Sequence, residues 1–136
     1  MLTNKMVVVI AAEAPLGVAL NTAALLGVGL GHHHDNVVGP DTRDASGNPH
    51  TGMCAHPIPV LRASAGQLHD LRAQAAARDT VTVHDMNQIA QRARTYEQMS
   101  ATLSGTKAED VEYLGLALYG PRAVIDSLTG ALALYR

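Results

Sequence analysis

Hydrophobic and polar positions along this chain switch between a strand period and a helix period, and the order of the switches predicts its elements. Met6-Val-Val-Val-Ile-Ala11 is an unbroken apolar run rich in β-branched residues, which predicts a central strand covered on both faces. After the loop Ala12-Glu-Ala-Pro-Leu-Gly17, positions 18–30 are apolar around nearly the whole circumference of a helix, apart from Asn21 and Thr22. Such a helix is expected to be largely buried, so Asn21 in its first turns needs a partner or a cleft. From Gly31 to Pro57 the chain is rich in Gly, Pro, Asp, Asn and His, and Asp44-Ala-Ser-Gly-Asn-Pro49 carries turn chemistry, so an irregular hairpin or surface excursion is expected.

Ile58-Pro-Val-Leu61 predicts a short strand, and Pro59, which has no N–H for a ladder, places it at a sheet edge. Ser64 with Gln67 three residues on makes a capping box, and Leu68, Leu71, Ala75 and Ala76 supply an apolar stripe, which predicts a surface helix from Ser64 to Arg78. Thr80-Val-Thr-Val83 reads as a strand that ends at His84-Asp85. Met86 to about Met99 reads as one helix, solvated on the side of Gln88, Gln91, Arg92, Arg94 and Glu97. Tyr113-Leu-Gly-Leu-Ala-Leu-Tyr119 predicts a buried strand, which Gly120-Pro121 breaks before a helix that stops at Thr129-Gly130. Alternating strands and helices predict a three-layer α/β sandwich, and 136 residues fit one domain over positions 1–136.

Composition refines this picture. With no Phe, no Trp and only four Tyr, the core must be filled by Ala, Val, Leu and Ile, and the wealth of Ala and Gly implies close approach between layers. The net charge of −2, without a run of Lys or Arg, argues against a nucleic-acid partner. The one cysteine, Cys54, excludes an internal disulfide and suits a reducing compartment. The opening Met1-Leu-Thr-Asn-Lys-Met leads into a six-residue apolar block too short to span a bilayer, so no membrane partner and a cytoplasmic location are expected.

Candidate chemistry gathers where the loop after the first strand, the start of the first helix and the end of the third strand would meet. That convergence would bring Glu13, Asn21, His84 and Asp85 together as a ligand cleft, with Tyr96 and Arg122 as further polar candidates. His84 and Asp85 are adjacent on an extended segment and point to opposite faces, so Asp85 would have to orient another imidazole to act in general-base chemistry. The alternative is that Asp85 caps the helix beginning at Met86. Consecutive His32-His33-His34 cannot all converge on one metal ion, and they lie where imidazoles favourably meet a helix carboxyl end. His50, Cys54 and His56 have even spacing, and on an extended stretch they would share a face suited to zinc or to a thiol nucleophile with a histidine base. Pro49, Gly52 and Pro57 interrupt that stretch, and the competing reading is a small cysteine flanked by two partly exposed histidines.

The carboxyl-terminal residues carry a family resemblance. Gly115-Leu-Ala-Leu-Tyr-Gly-Pro121, then Ile125-Asp126, Leu128-Thr-Gly130 and Leu132-Ala-Leu134, resemble the signature of type II peptidyl-tRNA hydrolases, as do Val7-Val-Val-Ile10 and Ala23-Ala24 near the start. A closer resemblance covers essentially the whole chain, to a bacterial domain-of-unknown-function family, number two thousand, that shares that fold. It rests on Leu20-Asn-Thr-Ala-Ala24, Gly29-Leu-Gly31, Pro57-Ile-Pro-Val-Leu61 and Tyr113-Leu-Gly-Leu-Ala-Leu-Tyr-Gly-Pro-Arg122.

The resemblance implies a peptidyl-tRNA hydrolase II-like α/β/α sandwich with a mixed four-stranded sheet, an antiparallel last strand that sends Arg122 to the opposite end, and a homodimer. The hydrolases use a lysine early in the first helix, an aspartate just after the third strand and a threonine four residues later. The corresponding positions here are Asn21, Asp85 and Ile89, so only the carboxylate is kept. An amide replaces the lysine's hydrogen bond but not its charge. The expected function is therefore a small-molecule binding or regulatory module using Glu13, Asn21, His84, Asp85 and Tyr96, with no cofactor and no metal. The alternatives are a hydrolase of another ester or amide that uses Asp85 and Asn21 catalytically, and a metal protein using His50, Cys54 and His56.

Overall fold

The computed structural model describes residues 3–136. Met1 and Leu2, at the head of the opening stretch read above, lie outside the described residues. The β-branched run forms β1 (Asn4–Ala11), and Met6 to Ile10 are each at most 3% exposed. It pairs in parallel with β4 (Val60–Ala63) on one side. On the other side it pairs antiparallel with β6 (Tyr113–Pro121), which pairs antiparallel with β5 (Thr82–Asn87). The four-stranded mixed sheet has the order β4-β1-β6-β5, so the apolar run is central and the proline-preceded strand is an edge, as expected. Pro59 still takes part through its carbonyl, which accepts from Val8 N at 3.0 Å.

Alternation along β1 sends its side chains into two cores. Met6, Val8 and Ile10 meet Ala19, Leu26 and Leu30 of α1 (Leu16–His33). Val7 and Val9 meet Leu68, Leu71 and Ala75 of α2 (Ala65–Ala76) and Ile125 of α5 (Arg122–Thr129). The capping box at α2 is present in both directions, with Gln67 N donating to Ser64 Oγ at 3.2 Å and Ser64 N donating to Gln67 Oε1 at 2.9 Å. The excursion after α1 contains a small hairpin of β2 (Thr42–Arg43) and β3 (Pro49–His50), closed by the Asp44 carboxylate accepting from Ser46 N and Asn48 N.

Four expectations from the sequence need correction. The strand expected at Thr80–Val83 starts and ends later, at Thr82 and Asn87. The single helix expected from Met86 to Met99 is two, α3 (Gln88–Arg92) and α4 (Tyr96–Ser104), because two side chains compete for the role of cap. Asn87 accepts from Ala90 N at 2.9 Å and Thr95 accepts from Gln98 N at 3.1 Å, with extended backbone at Ala93 and Thr95 between them. At the other end of the chain, β6 continues through Gly120-Pro121 and is not broken by it, since Pro121 pairs with Asn4 and acts as the N-cap of α5.

The fourth correction concerns burial of α1. Ala19, Thr22, Leu26 and Leu30 face the sheet, while Leu16, Leu20 and Val28 on the outer side are 66%, 63% and 72% exposed. Apolarity all round did not bury this helix, because nothing among the described residues lies over its outer face. Among the described residues no helix is long and apolar enough to cross a membrane.

The expected close approach between layers occurs at Gly115, opposite Ile10 in the β1–β6 ladder. A Cβ there would stand 2.6 Å from Thr22 Cγ2 and 3.1 Å from both Ile10 Cδ1 and Val9 O. Gly115→Ala should therefore force α1 away from the sheet and destabilise the protein by about 1–3 kcal/mol, the usual range for overpacking a filled core. Urea unfolding measures it, and an unchanged midpoint would mean that the contact yields freely.

Candidate functional site

The pleat of β5 separates the two polar residues at its centre. His84 opposes Ala117 and points towards α1, where a Cβ on Gly29 would lie 3.4 Å from its Nδ1. Asp85 opposes Leu116 and points towards α2, where Arg72 Nε donates to it at 3.5 Å. The same guanidinium lies 5.5 Å from the centroid of the Tyr113 ring, and burial pushes the Tyr113 phenol up from its ordinary value against the opposing pull of Arg72. Asp85 also accepts from Asn87 Nδ2 at 3.2 Å, so it braces the residue that caps α3 and is not itself the cap.

Beside this carboxylate, at the free edge of β5, lies a cleft of 440 Å³. Leu25 of α1, Met86, Ala90 and Met99 supply apolar walls, and Asp85, Arg94 and Tyr96 supply polar groups. Tyr96 is 79% exposed at the opening. Of the five residues expected to converge, Asp85 and Tyr96 line this cleft together, and Glu13, Asn21 and His84 are not among its lining residues. Asn21 is exposed for a geometric reason: Thr22 faces the sheet at 1% exposure, and the next position on a helix is rotated about 100° away. Glu13 is exposed in the loop between β1 and α1. Ile89, which the resemblance sets at the hydrolases' threonine position, is half-buried and lines a separate recess with Arg92 and Gln98.

His84 belongs to a different group. Its Nε2 lies 3.0 Å from Nε2 of His34, and the ring of His33 stands 5.4 Å away, centroid to centroid. His34 in turn stacks on Tyr119 at 3.9 Å, and the Tyr119 hydroxyl accepts from Asn4 Nδ2 at 3.0 Å. Nothing local along the chain reveals this cluster, because the partner of His34 lies 50 positions away. The helix ends at His33 and His34 has extended backbone, so the chain turns there and lets both side chains approach the strand histidine. Burial first, then the neighbouring imidazoles, hold both His34 and His84 below the ordinary histidine value, partly offset by Asp35 and Asp85 respectively.

In the third constellation His50 and Cys54 line one recess, and His56 is not among its lining residues. His50 pairs with Asp44 at 2.9 Å and thereby lowers the Asp44 carboxyl below the usual range. The Cys54 thiol donates to the backbone carbonyl of His56 at 3.3 Å. Among the described residues no group of three His, Cys, Asp or Glu side chains is placed to hold a metal ion.

These features define a mixed α/β protein with an open edge cleft and a separate histidine cluster, and the comparisons with known proteins agree with the architecture. A family model described as "Protein of unknown function (DUF2000)" matches residues 4–136, and the chain belongs to that family. A solved structure of a protein of unknown function from Agrobacterium tumefaciens strain C58 superposes with a TM-score of 0.92 over 100% of both chains at 20% identity, a likeness of fold. None of the curated proteins is similar enough to match this sequence.

The histidine cluster has a pH consequence. Folded values below the ordinary 6.5 mean that the unfolded chain binds more protons, so the cluster costs no stability above that pH and an increasing amount as pH falls through it. The urea midpoint should drop between about pH 7.5 and about pH 5.5, and His84→Gln should flatten that decline; an equally steep decline in the variant would locate the effect elsewhere.

Proposed function

We propose that this protein is a small-molecule binding module built on a three-layer, peptidyl-tRNA hydrolase II-like sandwich, and that its ligand occupies the cleft between Asp85 and Tyr96. The observation that carries the reading is the cleft itself: apolar walls and a few convergent polar groups, in a volume of 440 Å³ that suits a small organic ligand. The antiparallel last strand and the helices on both sheet faces support the hydrolase-like arrangement. The site's chemistry supports binding over cleavage of peptidyl-tRNA. Asn21 lies exposed and without a charge, Ile89 has no hydroxyl, and His84 points to the other side of the sheet from Asp85. The Asp85 carboxylate and the apolar walls together favour a compact molecule with an apolar body and one hydrogen-bond donor or positive charge.

Small apolar amines and alcohols, titrated against the labelled protein, should give saturable amide shifts at Met86, Ala90 and Met99 that weaken at least tenfold in Asp85→Asn. Shifts confined to other regions, or undiminished in that variant, would remove the cleft from consideration. Ester or amide turnover that disappears in Asp85→Asn while the fold is retained would instead favour the hydrolase reading. Stoichiometric zinc in purified protein, lost in Cys54→Ser, would favour the metal reading.

The uncharged outer face of α1 supports a second copy as partner. No Asp, Glu, Lys or Arg occurs in Leu16–His33, so two such faces can meet without desolvating a charge. We infer a homodimer packed on Leu16, Leu20 and Val28. Sedimentation should give twice the monomer mass for the native chain and the monomer mass for Leu20→Glu; a native monomer at high micromolar concentration, or a dimer that survives Leu20→Glu, would exclude this face.

A further inference from the structure

A second recess lies at the end of the sheet where β1 begins and β6 finishes. Its volume is 170 Å³, and it is lined by Asn4, Lys5, Met6, His56, Pro57, Pro59 and Arg122. Water's share of liquid volume makes that the space of about five or six molecules, enough for a solute of similar heavy-atom count.

Two observations show that this space is chemically unfinished. His56 Nδ1 is buried with no hydrogen-bond partner, a condition that native proteins relieve with water, an ion or a ligand. Arg122, the first residue of α5, has no carboxylate within ion-pair reach among the described residues. Lys5, by contrast, is already neutralised by Asp126 at 2.6 Å. The local balance is therefore one uncompensated guanidinium beside an orphaned imidazole nitrogen, with a Lys–Asp pair at the rim.

We propose that this recess binds a small monocarboxylate, with the carboxylate on Arg122 and His56 and the short carbon chain against Pro57 and Pro59. A guanidinium presents two parallel N–H donors that match the two oxygens of a carboxylate, and the Nδ1–H tautomer of His56 offers a further donor. One unpaired positive charge matches one negative charge, whereas a phosphate dianion would be left half compensated. The walls agree with an organic acid, because the two prolines carry no N–H and their rings offer apolar surface to a ligand chain. Asn4 is engaged elsewhere, since its amide donates to Tyr119 at the edge of the histidine cluster. The site is independent of the Asp85 cleft, with which it shares no lining residue.

Propionate titrated into the full chain at constant ionic strength, followed by amide and His56 ring resonances, tests this directly. Saturable shifts at Lys5, His56 and Arg122 with millimolar affinity are expected, and inorganic phosphate at the same concentrations should leave those resonances unsaturated. Arg122→Gln should weaken propionate at least tenfold, and so should His56→Gln, each with the remaining spectrum unchanged. Arg122 is exposed at a helix start, so its replacement leaves the core intact. Absence of saturable shifts would mean that water alone fills the recess, and undiminished binding in both variants would overturn the site. Phosphate binding as tight as propionate would overturn the carboxylate assignment.

Discussion

The antiparallel pairing of β1 with β6, from Asn4 opposite Pro121 to Ile10 opposite Gly115, is the constraint on which the rest of the molecule depends. It places two largely apolar strands side by side at the centre of the sheet, where both faces must be covered. The parity of β1 then dictates which helix covers which residues. Met6, Val8 and Ile10 require α1, while Val7 and Val9 require α2 and α5. With no Phe or Trp to fill space, the layers close on small residues, and the packing of Thr22 onto Gly115 shows how little room remains between helix and sheet.

The same parity organises the polar chemistry. On β5 it sends His84 to the α1 side and Asp85 to the α2 side, so the two adjacent residues serve different neighbourhoods. Asp85 is tied to Arg72 and Asn87 and borders the edge cleft, where Tyr96 joins it from α4. His84 meets His34 at the carboxyl end of α1, and Tyr119 with Asn4 extends that group towards the start of β1. Membership of a family of unknown function and a 20% identical structural neighbour establish the scaffold; the clefts must be argued from their own residues.

Much of the scaffold was legible along the chain. The β-branched run of β1, the proline before β4 and the Ser64–Gln67 box each act through local rules, steric or hydrogen-bonding, that hold wherever such a segment folds. Two local competitions were missed. Asn87 and Thr95 are both able caps, and together they divide one helical stretch into α3 and α4. The apolar circumference of α1 reports only that water is disfavoured on every side and leaves the identity of the covering surface open.

The candidate site was less legible, for a reason that separates local from tertiary information. Sequence by itself determined the periods of the elements, the two-sided burial of β1, and the divergence of His84 from Asp85, because these follow from backbone geometry over a few residues. Only the tertiary structure decided that Thr22 and not Asn21 faces the sheet, that Tyr96 swings beside Asp85, and that His34 reaches a strand 50 positions away. Those contacts depend on the rotation of each helix about its axis and on where it stops, and both are set by packing against strands remote in the chain.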